Sequence, residues 1–412
     1  MKRILFVDDE PRILEGLQRT LRPQRKLWEM AFANGGREAL TALESEPFDV
    51  VVTDMRMPGM DGADLLAAVR DRFPAVVRIV LSGYFDTETA MRAVPVAHQF
   101  LVKPCDAVKL RQAIERLGDY KTVLRNEAAR RIINSIGELP ALPETSARLM
   151  DAVQSPDVPI EQIAAIVEHD IGITAKVLQL VNSAFFGLSH EVAAVAPAVS
   201  YLGLDLLRQL VLTVEIFRTF QPSNRVAGFS LDLLQKHSRN SAKIAARLPL
   251  PKASQKSAVM ASLLHDVGKL VLAAKFPGDF AAALKASHEH GCPFHVAEQE
   301  AFGATHAEIG AYLLGLWGLP ASIVSPVCNH HAPAVSPIPP GAGLDPVAAV
   351  HVADMLDHEA AAEPLAEAGF DNGELDLEHL EFLGVATELE DWRAMAKRIT
   401  ATEGDDDLCQ TP

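Results

Sequence analysis

Chemically reactive side chains follow four apolar segments in the first quarter of the chain, at the point where each segment ends. Each segment is short and rich in apolar, largely β-branched residues, which predicts a buried strand. The residues at the ends of these segments are Asp8, Asp9, Asp54, Ser82 and Lys103. Because the carboxyl ends of parallel strands share one edge of an open α/β sheet, where ligands bind, we expect these side chains to meet.

The residue types at this edge suit a divalent cation and a phosphoryl group. Carboxylate oxygens are ligands that Mg²⁺ prefers, and a carboxylate such as that of Asp54 can accept a phosphoryl group. A bound cation would offset the repulsion between that carboxylate and the incoming group. The hydroxyl of Ser82 and the ammonium of Lys103 can then hold the phosphoryl oxygens.

Residues 1–118 resemble the receiver domain of two-component response regulators. The resemblance implies a flavodoxin-like α/β fold, doubly wound around a five-stranded parallel sheet. It implies Asp54 as the phosphorylated residue and Ser82, Phe100 and Lys103 as the switch residues. It implies that Mg²⁺ binds to Asp8, Asp9, Asp54 and the carbonyl oxygen of Arg56. A sensor histidine kinase or a phosphotransfer protein is the partner that it implies.

Length and composition restrict the remaining possibilities. The 412 residues suggest two or three domains, and the net charge of −16 argues against direct nucleic-acid binding, which needs a basic patch. We find no run that we expect to span a bilayer, and the first residues lead into a strand and not a signal peptide. The four cysteines lack the paired spacing of a metal site, as is typical of a reducing cytoplasm. These are Cys105, Cys292, Cys328 and Cys409.

A helical pattern follows the receiver-like segment. It begins at the predicted N-cap Asp106 and continues toward Ile133, so we expect a linker helix over 119–136. Two interpretations stay open: a linker with one packed face, or a short two-chain coiled coil that would make the protein a homodimer. We expect 137–400 to form an all-α domain and 401–412 to be a disordered acidic tail.

Histidines and acids with the chemistry of metal ligands recur through the predicted helical domain. Imidazole and carboxylate groups suit Mn, Fe, Ni or Zn. An adjacent His-Asp pair can serve two metal ions, which together activate water and bind a phosphoryl group. The candidate ligands are His237, His265, Asp266, His306, His330, His331 and Asp354. We interpret His169 as a C-terminal residue of a helix, where a partly positive imidazole is favoured. We interpret six further histidines as ordinary helix residues, at the surface or hydrogen-bonded in the core: His288, His290, His295, His351, His358 and His379.

The order and spacing of these ligands resemble the HD superfamily of metal-dependent phosphohydrolases, especially its HD-GYP branch. The segments 139–143, 176–184, 198–203 and 306–320 resemble the HDOD domain, which adds an N-terminal helical half to the HD core. The sequence departs from HD-GYP proteins in two respects. Ala332 and Pro333 follow the histidine pair where the Gly-Tyr-Pro motif is expected, and Leu233 replaces an acidic ligand of trinuclear members. Both departures argue against cyclic-di-GMP hydrolysis.

Two functions remain open from the sequence. In the first, a receiver phosphorylated on Asp54 controls an HDOD output domain that acts through a downstream signalling protein or through self-association. In the second, the output domain is a metal-dependent phosphohydrolase, for example a nucleotide second-messenger phosphodiesterase, that the receiver regulates.

Overall fold

The computed structural model describes most of both predicted domains. The described residues are 2–82, 96–103, 110–111, 114, 127–134, 140–141, 145, 148–149, 152, 158–182, 192–212, 218–219, 226–361 and 373–401.

The N-terminal part is a five-stranded parallel sheet with strand order β2-β1-β3-β4-β5. The strands are β1 (Lys2–Val7), β2 (Trp28–Ala33), β3 (Val50–Asp54), β4 (Val77–Ser82) and β5 (Gln99–Val102). Helices α1 (Pro11–Thr20), α2 (Gly36–Ser45) and α3 (Gly62–Arg72) connect the first four strands. The central strands are apolar because helices cover both faces of such a sheet. This is the predicted doubly wound α/β fold.

The C-terminal part is helical. Its elements before residue 226 are α4 (Glu127–Asn134), α5 (Ile160–Glu168), α6 (Ile171–Asn182) and α7 (Val195–Leu212), with a positive-φ break at Gly203. Those that follow are α8 (Leu231–Ala245), α9 (Lys252–Leu264), α10 (Val267–Lys275), α11 (Pro277–His290), α12 (Phe294–Phe302), α13 (His306–Leu316), α14 (Ala321–Asn329), α15 (Pro346–Ala360), α16 (Leu377–Leu383) and α17 (Leu389–Ala401). Two short parallel strands, Pro140–Ala141 and Arg218–Thr219, add a small sheet that we did not predict.

The linker prediction is only partly covered by the described residues. Residues 119–126 and 135–136 lie outside them, as do Asp106 and the predicted acidic tail after Ala401. Helix α4 buries Ala129, Ile132 and Ile133 and packs against α13. In the described segment, the apolar face of the linker therefore packs within its own chain.

The two parts of the chain also meet away from the linker. The side-chain amide of Gln99, at the start of β5, donates a hydrogen bond to the carbonyl oxygen of Leu316 at the end of α13 (3.3 Å). The side-chain amide of Gln179 in α6 donates to the carbonyl oxygen of His98 (3.4 Å). A single apolar core connects the sheet with the first helices of the C-terminal part.

One stretch, Lys252–Lys275, has the length and composition of a membrane span, in contrast to our expectation from the sequence. Its apolar window is 89% buried within the protein. The stretch comprises α9 and α10, which meet at His265 and Asp266. A core helix satisfies the same criteria, and this burial is what a core position requires.

Candidate phosphoacceptor and metal sites

The phosphoacceptor candidate lies at the end of the central strand β3. Val7 of β1 pairs with Thr53 of β3, so Asp8 and Asp54, which follow these two residues, lie side by side at the ends of neighbouring strands. The ammonium nitrogen of Lys103 lies 2.6 Å from Oδ1 of Asp54 and 2.5 Å from Oδ2 of Asp8. Burial disfavours the charged amine, but its hydrogen bonds to these carboxylates outweigh burial and raise the pKa of Lys103.

Backbone amides fix the orientation of both carboxylates. The amide of Arg56 donates to Oδ2 of Asp54 (2.8 Å), and the amide of Glu10 donates to Oδ1 of Asp8 (2.9 Å). Asp9 is half-buried beside them. This set of carboxylate oxygens has the donor chemistry that Mg²⁺ requires.

The structure places the predicted switch residues Ser82 and Phe100 on β4 and β5, and Lys103 directly after β5. Ser82 is the last residue of β4, and its side chain lies outside the described part of the structure. Phe100 is buried in β5, three residues before Lys103.

Five regions of the helical part bring the predicted metal ligands together. They are α8, the junction of α9 and α10, the start of α13, the end of α14 and the middle of α15. The residues they contribute are His237, His265, Asp266, His306, His330, His331 and Asp354. All seven side chains converge on one cluster, which is almost entirely buried.

One half of the cluster surrounds His237. Its Nε2 atom lies 3.1 Å from Nε2 of His265 and 3.1 Å from Oδ1 of Asp354. Oδ2 of Asp266 is 3.5 Å from Nε2 of His265 and 3.8 Å from Nε2 of His237. These four residues form the first subsite.

The other half surrounds His306. Its Nε2 atom lies 2.9 Å from Nε2 of His331, 3.4 Å from Nε2 of His330 and 3.2 Å from Oδ1 of Asp266. These residues form the second subsite. Because its two oxygens face different subsites, Asp266 has the position of a bridging ligand.

Hydrogen bonds on the outer side of the rings determine which ring nitrogens face the cluster. Nδ1 of His237 faces Asp357 (2.7 Å), and Nδ1 of His306 faces Glu298 (2.6 Å). In the same way, His265 and His330 direct Nδ1 at the backbone carbonyls of Ser262 and Val327. When Nδ1 carries the proton in each ring, every Nε2 lone pair points into the cluster.

Inward lone pairs about 3 Å apart repel each other unless a cation or protons lie between them. Oδ1 of Asp266 is also buried and accepts no hydrogen bond from the described residues. Both observations fit a pair of metal ions, and outer acceptors that hold Nδ1–H are the usual arrangement around metal-bound histidine.

Buried acids and buried basic groups lie together in the cluster. Burial opposes ionisation of Asp266, but His265 and Lys269 outweigh it and hold its pKa well below the usual value. Burial lowers the pKa of His237, but bonds to Asp354 and Asp357 outweigh it and raise the pKa to about 10. Without metal, protonated histidines would therefore compensate the acids.

Three contributing residues escaped the sequence prediction. Glu298 and Asp357 orient His306 and His237 from outside the cluster, and no motif marks either acid. His358, which we interpreted as an ordinary helix residue, places Nε2 3.2 Å from Oδ1 of Asp354. This contact makes His358 a further candidate ligand, and the spacing of four residues from Asp354 was the available signal because it puts both on one face of α15.

The other histidines in the described helices lie around the cluster or away from it. The ring of His295 stacks on that of His331, and Nδ1 of His351 contacts the carbonyl oxygen of His330 (2.7 Å). His288 and His290 are exposed on α11. His169 caps the end of α5, as predicted from the sequence.

Comparison with known proteins identifies both domains. Residues 4–115 match the response regulator receiver domain, and residues 139–333 match the HDOD domain. The chain is therefore a response regulator in which a receiver domain is joined to an HDOD domain. Asp354 and His358 lie beyond the part that matches the HDOD domain.

Similar proteins include an uncharacterized protein of Treponema pallidum, 30% identical over 48% of this chain and 39% of the relative. The response regulator protein PilR of Pseudomonas aeruginosa is 37% identical over 27% of this chain and 25% of the relative. These alignments span about two fifths or less of the curated relatives.

Among solved structures, a virulence factor of Campylobacter jejuni shares the fold. It is 19% identical, with a TM-score of 0.50 over 68% of this chain and all of that chain. The MmoQ response regulator of Methylococcus capsulatus is 23% identical, with a TM-score of 0.48 over 64% of this chain and 98% of that chain.

Proposed function

We propose that this response regulator receives a phosphoryl group on Asp54 and thereby controls its HDOD domain, which acts on a downstream signalling protein or through self-association. The donor would be a sensor histidine kinase or a phosphotransfer protein, the usual partners of receiver domains. The observation that carries the proposal is the contact of Lys103 with both Asp54 and Asp8 at the sheet edge. The proposed domains are a receiver domain at 1–118, a linker helix at 119–136 and an HDOD output domain at 137–400. We propose that the protein is cytoplasmic.

The lysine contact supports phosphorylation on chemical grounds. A carboxylate held by a backbone amide and an ammonium group is oriented before the reaction, and the ammonium group can then pair with a phosphoryl oxygen. Mg²⁺ bound by Asp8, Asp9 and Asp54 would neutralise charge on the transferred group. The carboxylates would hold that ion while a carboxylate oxygen of Asp54 attacks the phosphoryl group.

Mass spectrometry after treatment with acetyl phosphate tests this assignment. We expect one added phosphoryl group, located on Asp54 and dependent on Mg²⁺. Asp54→Asn should abolish the mass shift, whereas Asp71→Asn, at an exposed acid near the end of α3, should not. Stoichiometric uptake by Asp54→Asn would contradict the proposal.

The contacts between the domains support a short route for the signal. Strand β5 begins at Gln99, which donates a hydrogen bond to the end of α13. At its other end, the strand leads directly to Lys103. Helix α13 begins with His306, one of the candidate metal ligands. A shift of β5 on phosphorylation would therefore act on the helix that carries a candidate ligand.

The convergent histidines favour a second candidate function, that of a metal-dependent phosphohydrolase. When bound, two metal ions would supply an activated water and stabilise phosphoryl oxygens. Asp266 is placed to contact both ions, and Lys269 holds its Oδ2 atom at 2.8 Å. Glu298 and Asp357 would keep His306 and His237 in the tautomer that binds metal.

Metal analysis and a hydrolysis assay test this second function together. The purified protein should contain about two equivalents of Mn, Fe, Ni or Zn, and a generic phosphodiester should be cleaved. His265→Ala and Asp266→Ala should lose both metal and turnover, whereas His288→Ala should keep both. Bound metal without turnover would contradict the hydrolase and leave a metal-stabilised binding domain. Because the Gly-Tyr-Pro motif is absent, we expect little or no cleavage of cyclic-di-GMP.

A further inference from the structure

We propose that His358 is a direct ligand of the metal ion in the first subsite. The inference rests on the metal site of the second proposed function. It adds a ligand that lies outside both the predicted set and the part of the chain that matches the HDOD domain.

The position of His358 follows from the geometry of α15. The side chain of Asp345 caps the start of the helix by accepting a hydrogen bond from the amide of Ala348 (2.8 Å), and Pro346 occupies the first turn. This fixes the register of the helix, so that Asp354 and His358, four residues apart, share one face. Nε2 of His358 consequently lies 3.2 Å from Oδ1 of Asp354.

The ring of His358 also lies against the ring of His237, with 4.6 Å between their centroids. Ligand atoms of His237, Asp354 and His358 all fall within 4.8 Å of one another. His358 therefore extends the first subsite on the side of His237 and Asp354. Leu233, one turn before His237, offers no ligand atom, and His358 supplies a donor from another helix.

The ligand distances suit donors that share one metal ion. At a metal–ligand distance of about 2.1 Å, two neighbouring ligands of one ion lie about 3.0 Å apart in octahedral and about 3.4 Å apart in tetrahedral geometry, and opposite octahedral ligands lie about 4.2 Å apart. The separations in the first subsite, including that of His358 from Asp354, run from 3.1 to 3.8 Å.

The alternative role for His358 is a charged contact with Asp354 that involves no metal. The two roles predict different metal binding. A ligand must change the affinity and coordination of one ion, whereas a charged neighbour would leave the coordination unchanged.

The test is a Mn²⁺ titration of metal-free full-length protein, with bound metal counted after equilibrium dialysis. We expect wild type to bind two equivalents. His358→Ala should weaken one of them by about 100-fold, near the upper end of what loss of a supporting residue alone costs, and leave the other unchanged. His290→Ala, at an exposed histidine of α11, is the matched control and should behave like wild type.

Co²⁺ absorption provides the second readout, since the spectrum of bound Co²⁺ depends on the number and type of its ligands. We expect the spectrum to change in His358→Ala and to stay as in wild type in His290→Ala. Two equivalents bound with the same affinities and spectra in wild type and His358→Ala would overturn the role of His358 alone. A wild type that binds no metal would overturn the metal site itself and, with it, the second proposed function.

Discussion

Replacing Gly268 by alanine should disrupt the second metal subsite by forcing two helices apart. Gly268 lies in α10, two residues after Asp266, where the backbone of α13 comes unusually close. A Cβ atom on Gly268 would lie 2.0 Å from the carbonyl oxygen of His306. Since the obstructing atom belongs to the backbone, no side-chain rotation can relieve the clash.

The required displacement can be worked out from these distances. An ordinary contact begins near 3.4 Å, so the clash at 2.0 Å calls for a shift of about 1.4 Å (3.4 − 2.0) between α10 and α13. If the whole shift acts along the line between the two ligand atoms, the distance between Nε2 of His306 and Oδ1 of Asp266 grows from 3.2 Å to about 4.6 Å. This exceeds the separation of about 4.2 Å that two ligands of one ion can span.

We therefore expect Gly268→Ala to lose about one equivalent of metal and about 1–3 kcal/mol of stability, the usual cost of overpacking. Elemental analysis of the dialysed protein and thermal unfolding measure the two effects. Gly278→Ala is the control, because no described atom lies within 4 Å of its added Cβ. Full metal content and unchanged stability in Gly268→Ala would refute the reasoning.

Further predictions concern the receiver site, pH and the domain contact. A Cβ on Gly62 would lie 2.1 Å from the carbonyl oxygen of Asp54, so Gly62→Ala should slow labelling by acetyl phosphate up to about 100-fold, with Gly16→Ala as an unaffected control. Burial raises the pKa of Glu168 to about 7 from its ordinary 4.5, so the folded state retains that proton longer and loses stability as pH rises from 4.5 through 7. Glu168→Gln should then be more stable than wild type at pH 8, by about 1–2 kcal/mol in the free energy of unfolding, and as stable as wild type at pH 4.5. Removing the bond to Leu316 in Gln99→Ala should cost about 0.5–1.5 kcal/mol, and identical denaturant midpoints would show that the bond contributes nothing.

The receiver fold and the meeting of its acids could be predicted because both depend on local patterns. Apolar runs predicted β1, β3, β4 and β5, and the parallel-sheet rule placed Asp8, Asp54 and Lys103 at one edge. The metal ligands could be proposed from residue type and order along the chain. Their convergence depends on the packing of several helices, which no single segment of the sequence encodes.

The residues that were missed act over long sequence distances. Asp357 meets His237 across 120 positions, and its role is visible only when α8 packs beside α15. Gln99 likewise contacts Leu316 across 217 positions. The short strands at Pro140 and Arg218 have too few residues for an alternating pattern to predict them.

The central claim is that phosphorylation of Asp54 alters the HDOD domain. Hydrogen–deuterium exchange of the full-length protein, with and without acetyl phosphate and Mg²⁺, tests it most directly. We expect phosphorylation to change exchange in the peptides that cover β5 and α13 in wild type, and no change in Asp54→Asn. Confirmed uptake of the phosphoryl group on Asp54, with identical exchange throughout residues 137–400, would contradict the account.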